Sequence, residues 1–384
     1  MTAFRSGSVG MSLNWLLVFV PVAMGLNWFG ASPILVFAAS ALSIIPLADL
    51  MGSATEALSR TLGETLGGLL NASLNNAPEI IIAGFALHQG LVPIVKASLT
   101  GSIVGNLLFG LGLAMFAGGL RHRRQSFDPN VAQINGALLT LASFGLIIPA
   151  VFRFSAASEA EISLKIAAIL FLVYLASLAY TLVTSRAALG KDAVEAELKE
   201  RGKCPDEVEE PGRGMNRNKA IGLLVVATLT LAAMSEVMTG AIEPTAKSLG
   251  LTPVFAGVFL LALVSNVPQL YNAAVFARKD KMDLAIGITV GASTQVALLV
   301  APALVFLGSL IGQDMNLVFS QFELCAIILA VLVTRTLISD GASNWLEGLM
   351  LVAVYLMLGI GFFYAPGDGA APGVKPAPPT VGTP

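Results

Sequence analysis

Glu79 is the residue most able to do chemistry in this chain. It stands in "NNAPEI", residues 75 to 80, inside a long apolar run. A carboxyl buried in such a run costs free energy, so its default reading is a working group. Asn71, Asn75 and Glu79 recur at i, i+4 and i+8, the spacing of one helix face, with Asn76 beside it. One hundred and ninety positions later "SNVPQL", residues 265 to 270, repeats the pattern with Asn266, Pro268 and Gln269. Each proline removes a helical hydrogen bond and frees a carbonyl four residues back. Those carbonyls belong to Leu74 and Val264, which makes Pro78 and Pro268 candidate helix breaks lining a polar site. Carboxylate, amide and backbone oxygens suit a hard cation such as Ca²⁺ or Na⁺. A buried carboxyl holds either a proton or a cation, and that either/or is the physical core of cation/proton antiport. Glu79, Asn76, Asn266 and Gln269 are therefore the expected cation and proton site. Glu79, Asn76 and Asn266 are its expected metal ligands.

The elements that position these residues must lie in a membrane. The chain has 384 residues, of which 55% are hydrophobic and 12% charged, with a mean hydropathy of +0.80. A soluble domain carries about twice that charge. Its net charge of −2 points to no nucleic-acid partner. Apolar runs near the ~20 residues a bilayer requires number eleven. They cover roughly 12–30, 33–58, 65–88, 92–119, 132–153, 161–184, 219–241, 252–277, 282–309, 320–338 and 345–364. The first is read as a retained helix, because no A-x-A cleavage site follows it. The expected organisation is a leading transmembrane helix (1–30), a first repeat (31–185), an acidic cytoplasmic linker (186–218), a second repeat (219–364) and a Pro/Gly-rich disordered tail (365–384).

The two repeats align without a gap. "GGLLNASLNNAPEIIIAGFA" (67–86) lies over "GVFLLALVSNVPQLYNAAVF" (257–276), and the offset persists at Gly101/Gly291 and Leu108/Leu298. Five spans per repeat is an odd number, so the second copy enters the membrane from the opposite side. Inverted repeats of this kind build secondary transporters with a midplane site. With the N-terminus in the cytoplasm, 17 of the 22 Lys and Arg residues fall inside, and the C-terminus falls outside. The expected location is the bacterial inner membrane.

Second-line candidates flank the centre. Glu56 and Glu243, near span ends, would attract cations into opposite vestibules, unless they are ordinary helix-end charges. Asn75, Ser102 and Gln295 would line the path. Cys204 and Cys325 form no CxxC, and His88 and His122 make no metal spacing. No HExxH, GxSxG or buried Asp pair points to an enzyme. No cofactor is expected beyond the transported cation.

These stretches resemble the calcium/proton antiporters of the calcium/cation antiporter superfamily. "GGLLNASLNNAPEIIIAGFAL" is similar to their first signature, with core G-N-A-P-E-L. "KMDLAIGITVGASTQVAL" and "SNWLEGLMLVAVYL" are similar to their second half. The resemblance covers about residues 30 to 364. It implies an all-α fold of one leading helix and two inverted five-helix repeats. It further implies that Glu79 and Asn76 lie in the cation site, with Asn266 as symmetric ligand, and that Ca²⁺ and protons are the substrates. Two departures stand out. The second signature, G-N-A-A-E-H in the family, has Gln269 and Leu270 in its last two places, and Asn75 replaces a glycine in the first. One glutamate balances a monovalent cation better than a divalent one, so Na⁺ or K⁺ exchange is the first alternative. An ion-binding sensor without transport is the second. The sequence carries no signal for oligomeric state.

Overall fold

The computed structural model describes residues 13–151, 156–188 and 215–365. Most of the expected linker, with Cys204, and the tail lie outside these residues. The described chain is helical apart from turns and one pair of two-residue strands. Its helices are α1 (Phe19–Trp28, after a 3₁₀ turn), α2 (Pro33–Leu74), α3 (Ala77–His88), α4 (Val92–Gly119), α5 (Pro129–Val151), α6 (Ala156–Ala188), α7 (Arg217–Ser248), α8 (Pro253–Arg278), α9 (Met282–Ile311), α10 (Gln321–Leu337) and α11 (Trp345–Tyr364). Eight are long and apolar enough to cross a membrane; α1, α3 and α10 are shorter.

The second and third expected spans meet inside one helical run. In a straight helix, residues eight apart are separated by about 12 Å. Yet the Ser59 hydroxyl donates to the Gly67 carbonyl. The run therefore bends sharply between Ser59 and Gly67, near the expected boundary. A second interruption lies beside Pro78, where a helix break was expected. The helix stops at Leu74, turns through Asn75 and Asn76, and restarts at Ala77.

The repeat is visible in backbone detail. The α3–α4 turn closes with Leu91 N–H donating to Ala86 O at 3.0 Å, and the α8–α9 turn with Lys281 N–H donating to Phe276 O at 3.0 Å. The turn residues Gly90 (φ +76°) and Asp280 (φ +59°) are also 190 apart, and both are left-handed. Gly adopts that region freely, and Asp is among the few other residues that visit it. Three π-helical turns interrupt the long helices, at Gly105–Gly110, Ala256–Leu261 and Val296–Val300. The first and third occupy matching places in α4 and α9.

Two hydrophobic clusters hold the bundle. One joins α1, α2 and α7 through Ile44, Leu47, Met51, Leu231, Met234 and Met238. The other joins α4, α5, α6, α9, α10 and α11 through residues such as Leu107, Leu111, Leu139, Leu304 and Leu351. Helix α3 lies between them, with Ile82 in the first cluster and Ala83 in the second. Helix α8 is shared the same way, through Leu261 and Val258. Loops at one end are joined by β1 (Gln125–Ser126) pairing antiparallel with β2 (Ala342–Ser343).

Candidate functional site

The site forms where α3, α4, α8 and α9 converge. Asn76 is the N-cap of α3, and Pro78 lies in its first turn, where a missing N–H costs nothing. This corrects the shared-face expectation. The helix breaks between Asn75 and Glu79, so they lie on different helical segments, and Asn75 is exposed. The Asn71 side chain lies outside the described ones. Leu74 ends α2, and Pro78 has no N–H to offer its carbonyl.

Pro268 behaves differently from Pro78, and the expected second break is absent. Helix α8 runs unbroken from Ala262 through Pro268 to Arg278. The π turn at Ala256–Leu261 just upstream already shifts the hydrogen-bond register, and surrounding helices support the backbone. The Val264 carbonyl still lacks its α-helical donor, because Pro268 carries no N–H.

The four principal candidates come together. Glu79 is 5% exposed, and its Oε1 accepts a 2.8 Å hydrogen bond from Gln269 Nε2. Asn266, 2% exposed, donates through Nδ2 to Ser102 Oγ at 3.0 Å and to Ala262 O at 2.8 Å. Asn76, 1% exposed, donates through Nδ2 to Gln295 Oε1. Ser102 and Gln295 thus hold the two asparagines from neighbouring helices.

Each of these amides spends its N–H on protein and leaves its oxygen idle. Glu79 Oε2, Asn76 Oδ1, Asn266 Oδ1 and Gln269 Oε1 are all buried without a hydrogen-bond partner. Buried oxygens are nearly always paired, so four idle ones in one region mark a place for a guest that accepts lone pairs. A cavity of about 10 Å³ lies beside them, lined by Glu79, Ser98, Ser102 and Ser265 with apolar neighbours. It has room for one water-sized particle. Among the described residues no three His, Cys, Asp or Glu side chains converge. The donor set is therefore one carboxylate among neutral oxygens, which suits a hard cation.

Backbone proximity fixes this geometry. A methyl at Gly101 would overlap the Val258 carbonyl and come within 2.7 Å of Ala262 Cβ. Helices α4 and α8 therefore touch main chain to main chain one residue before Ser102. Ser293 Oγ also reaches Ile103 O at 3.3 Å, which ties α4 to its repeat mate α9.

The outer acids do not join the site. Glu56 pairs with Arg60 and Glu243 with Lys247, each at 2.7 Å and one helical turn on. Both pairs are partly exposed.

Sequence reasoning missed Asn106. It is fully buried in the Gly105–Gly110 π turn, and neither amide atom has a partner. It stands one turn beyond Ser102 on the same face, and that spacing in an apolar helix was the available signal. A second buried carboxyl, Glu323, is structural. It accepts from Ser320 N–H at 2.8 Å in the capping box of α10, and from Thr100 Oγ1 at 3.4 Å.

The family model described as "Sodium/calcium exchanger protein" matches residues 32–183 and 219–364. A Ca(2+)/H(+) antiporter of Synechocystis sp. is 40% identical over 361 residues, 91% of this chain and 96% of the relative. The Ca(2+)/H(+) antiporter ChaA of Bacillus subtilis is 41% identical over 331 residues, 85% and 91% respectively. The solved structure of native YfkE superposes with a TM-score of 0.78 at 36% identity, covering 91% of this chain and 99% of that one.

Proposed function

Because the chain belongs to the sodium/calcium exchanger protein family, we propose that it is a secondary Ca²⁺/H⁺ antiporter working by alternating access. Glu79 is the carboxylate that holds cation and proton in turn. Asn76, Asn266, Gln269 and Asn106 supply neutral oxygens, and Leu74 and Val264 offer backbone carbonyls. The observation that carries this reading is the group of four idle buried oxygens around one carboxylate. The location of α3 and α8 between two hydrophobic clusters supports alternating access, since a site between two bodies opens when they shift. The relatives' names favour Ca²⁺. The protein is placed in the bacterial inner membrane with its N-terminus cytoplasmic and its C-terminus outside. Residues 186–218 link repeats 31–185 and 219–364. It needs no cofactor.

A second reading is favoured by Gln269. A divalent cation beside Glu79 alone leaves one positive charge uncompensated, a cost of several kcal/mol in a poorly solvated interior, to order of magnitude. A monovalent ion would be balanced, so Na⁺/H⁺ or K⁺/H⁺ exchange uses the same residues. Proton flux in vesicles holding the purified protein, with Ca²⁺, Na⁺ or K⁺ added in turn, separates the two. Glu79→Gln should reduce flux to that of empty vesicles. Flux unchanged in that variant would remove Glu79 from the mechanism. Cation binding without flux in the folded wild type would leave a sensor.

A further inference from the structure

A second concavity, of about 500 Å³, opens where α4 and α8 end side by side. It is lined by Phe116, Ala117, Leu120, Arg121 and Arg278. Leu120 is 66% exposed, and both arginines are exposed. Neither guanidinium has an ion pair among the described residues. The nearby acids are engaged elsewhere: Asp280 Oδ1 accepts from Gln125 Nε2 at 3.0 Å, and Asp283 Oδ1 from the Asp128 N–H at 2.8 Å. The two arginines are held together by the loop itself, because His122 Nε2 donates to the Arg278 carbonyl at 3.2 Å.

Next to the α4 residues that line this cavity stands Trp345, a residue type enriched at membrane–water boundaries. It is 45% exposed, and its Cα would lie 2.7 Å from a methyl on Gly119. The cavity therefore combines two unpaired planar cations and an apolar wall, with Trp345 packed on the neighbouring residue Gly119. Arginine forks match phosphate oxygens bidentately. The apolar wall of Phe116 and Leu120 has no use for a free ion but suits an acyl chain.

We propose that this cavity binds the phosphate headgroup of an anionic phospholipid, with Arg121 and Arg278 on the phosphate and the acyl chain along Phe116 and Leu120. Basic residues at the cytoplasmic surface already attract anionic lipid as a diffuse field; the proposal is a discrete site within it. Trp345 is the natural reporter, since the chain has only three tryptophans.

The test uses the full chain carrying Trp15→Phe and Trp28→Phe, reconstituted with brominated phosphatidylglycerol or brominated phosphatidylcholine. It reads quenching of Trp345 and needs no transport, so it stands or falls apart from the proposed exchange. Phosphatidylglycerol should quench preferentially, with a selectivity of roughly tenfold. The preference should fall to near one in Arg121→Gln/Arg278→Gln and return partly in Arg121→Lys/Arg278→Lys. Equal quenching by the two lipids would overturn the proposal. So would a preference that survives the double Gln substitution, which would assign it to the diffuse field. Abolition by millimolar inorganic phosphate would make the cavity a free-anion site and overturn the lipid assignment.

Discussion

Gln269 Nε2 lies 2.8 Å from Glu79 Oε1, and the two residues occupy the same place in the two repeats, 190 positions apart. The approximate symmetry of the fold thus brings the carboxylate of Glu79 against its own neutral counterpart. The amide gives its N–H to the carboxylate and keeps its oxygen idle. Its oxygen is free to act as a ligand, but the amide cannot carry a proton in the physiological range.

Gln269→Glu should change the proton count of the cycle. Two carboxylates at this separation cannot both stay charged without a cation, so one holds a proton until a divalent ion arrives. The measured protons moved per Ca²⁺ should rise, and the Ca²⁺ concentration for half-maximal flux should fall by about tenfold or more. An unchanged ratio would mean that protons travel by another group.

The pH dependence should show a single proton. If protons and cations compete for Glu79 as proposed, raising the pH should strengthen apparent cation affinity. With one titrating ligand, log affinity should rise with pH with a slope no greater than about one. A slope near two, from flux titrations at several pH values, would reveal a second exchanged carboxyl.

Asn106→Ala should separate folding from transport. It removes two unsatisfied buried polar atoms, a change that is close to neutral for stability. Flux should nevertheless fall by about tenfold, the scale typical of groups supporting a metal site. Thermal unfolding and flux on the same preparation provide the check.

Gly101→Ala and Gly291→Ala affect repeat mates and should have opposite outcomes. At Gly101 the new methyl meets the α8 backbone, which should cost about 1–3 kcal/mol and disturb Ser102 and Asn266. At Gly291 nothing lies within 4 Å, so alanine should stabilise the helix by up to about 1 kcal/mol. Melting temperatures moving in the same direction would contradict the close approach of α4 to α8.

Glu56→Gln and Glu243→Gln should each change cation affinity by less than about fivefold, because both acids sit in partly exposed pairs. A loss of more than about tenfold would place them on the ion path.

The repeat, and with it the fold, was legible in the sequence because one offset held through two helices and their turn. The central polar residues were legible as candidates because polar residues are costly in apolar runs, and the fold brings them together. The two prolines were not distinguishable locally. Pro78 follows an Asn–Asn turn and sits in a helix's first turn, whereas Pro268 lies inside a helix that continues past it and leaves the Val264 carbonyl without its helical donor. A helix period drawn through Asn71, Asn75 and Glu79 assumed a continuity that the turn destroys. Asn106 went unread because its role depends on having no partner, a property of three-dimensional packing.

The two turns at Gly90 and Asp280 have matching backbones and different moorings. Beside Gly90, Gln89 Nε2 donates to Thr239 Oγ1 of α7 at 2.8 Å. Beside Asp280, Gln125 and His122 fasten the end of α8 to the α4–α5 loop. One site-bearing helix is thus hitched to the α2–α7 pair, and the other to the body that contains α4 and α5. A displacement of that pair against that body would load the contact between α3 and α8. The hydrogen bond between Glu79 and Gln269 joins a helix moored to α7 with one moored to the α4–α5 loop, so in the proposed exchange the candidate pocket would itself be the fastening that a relative shift strains.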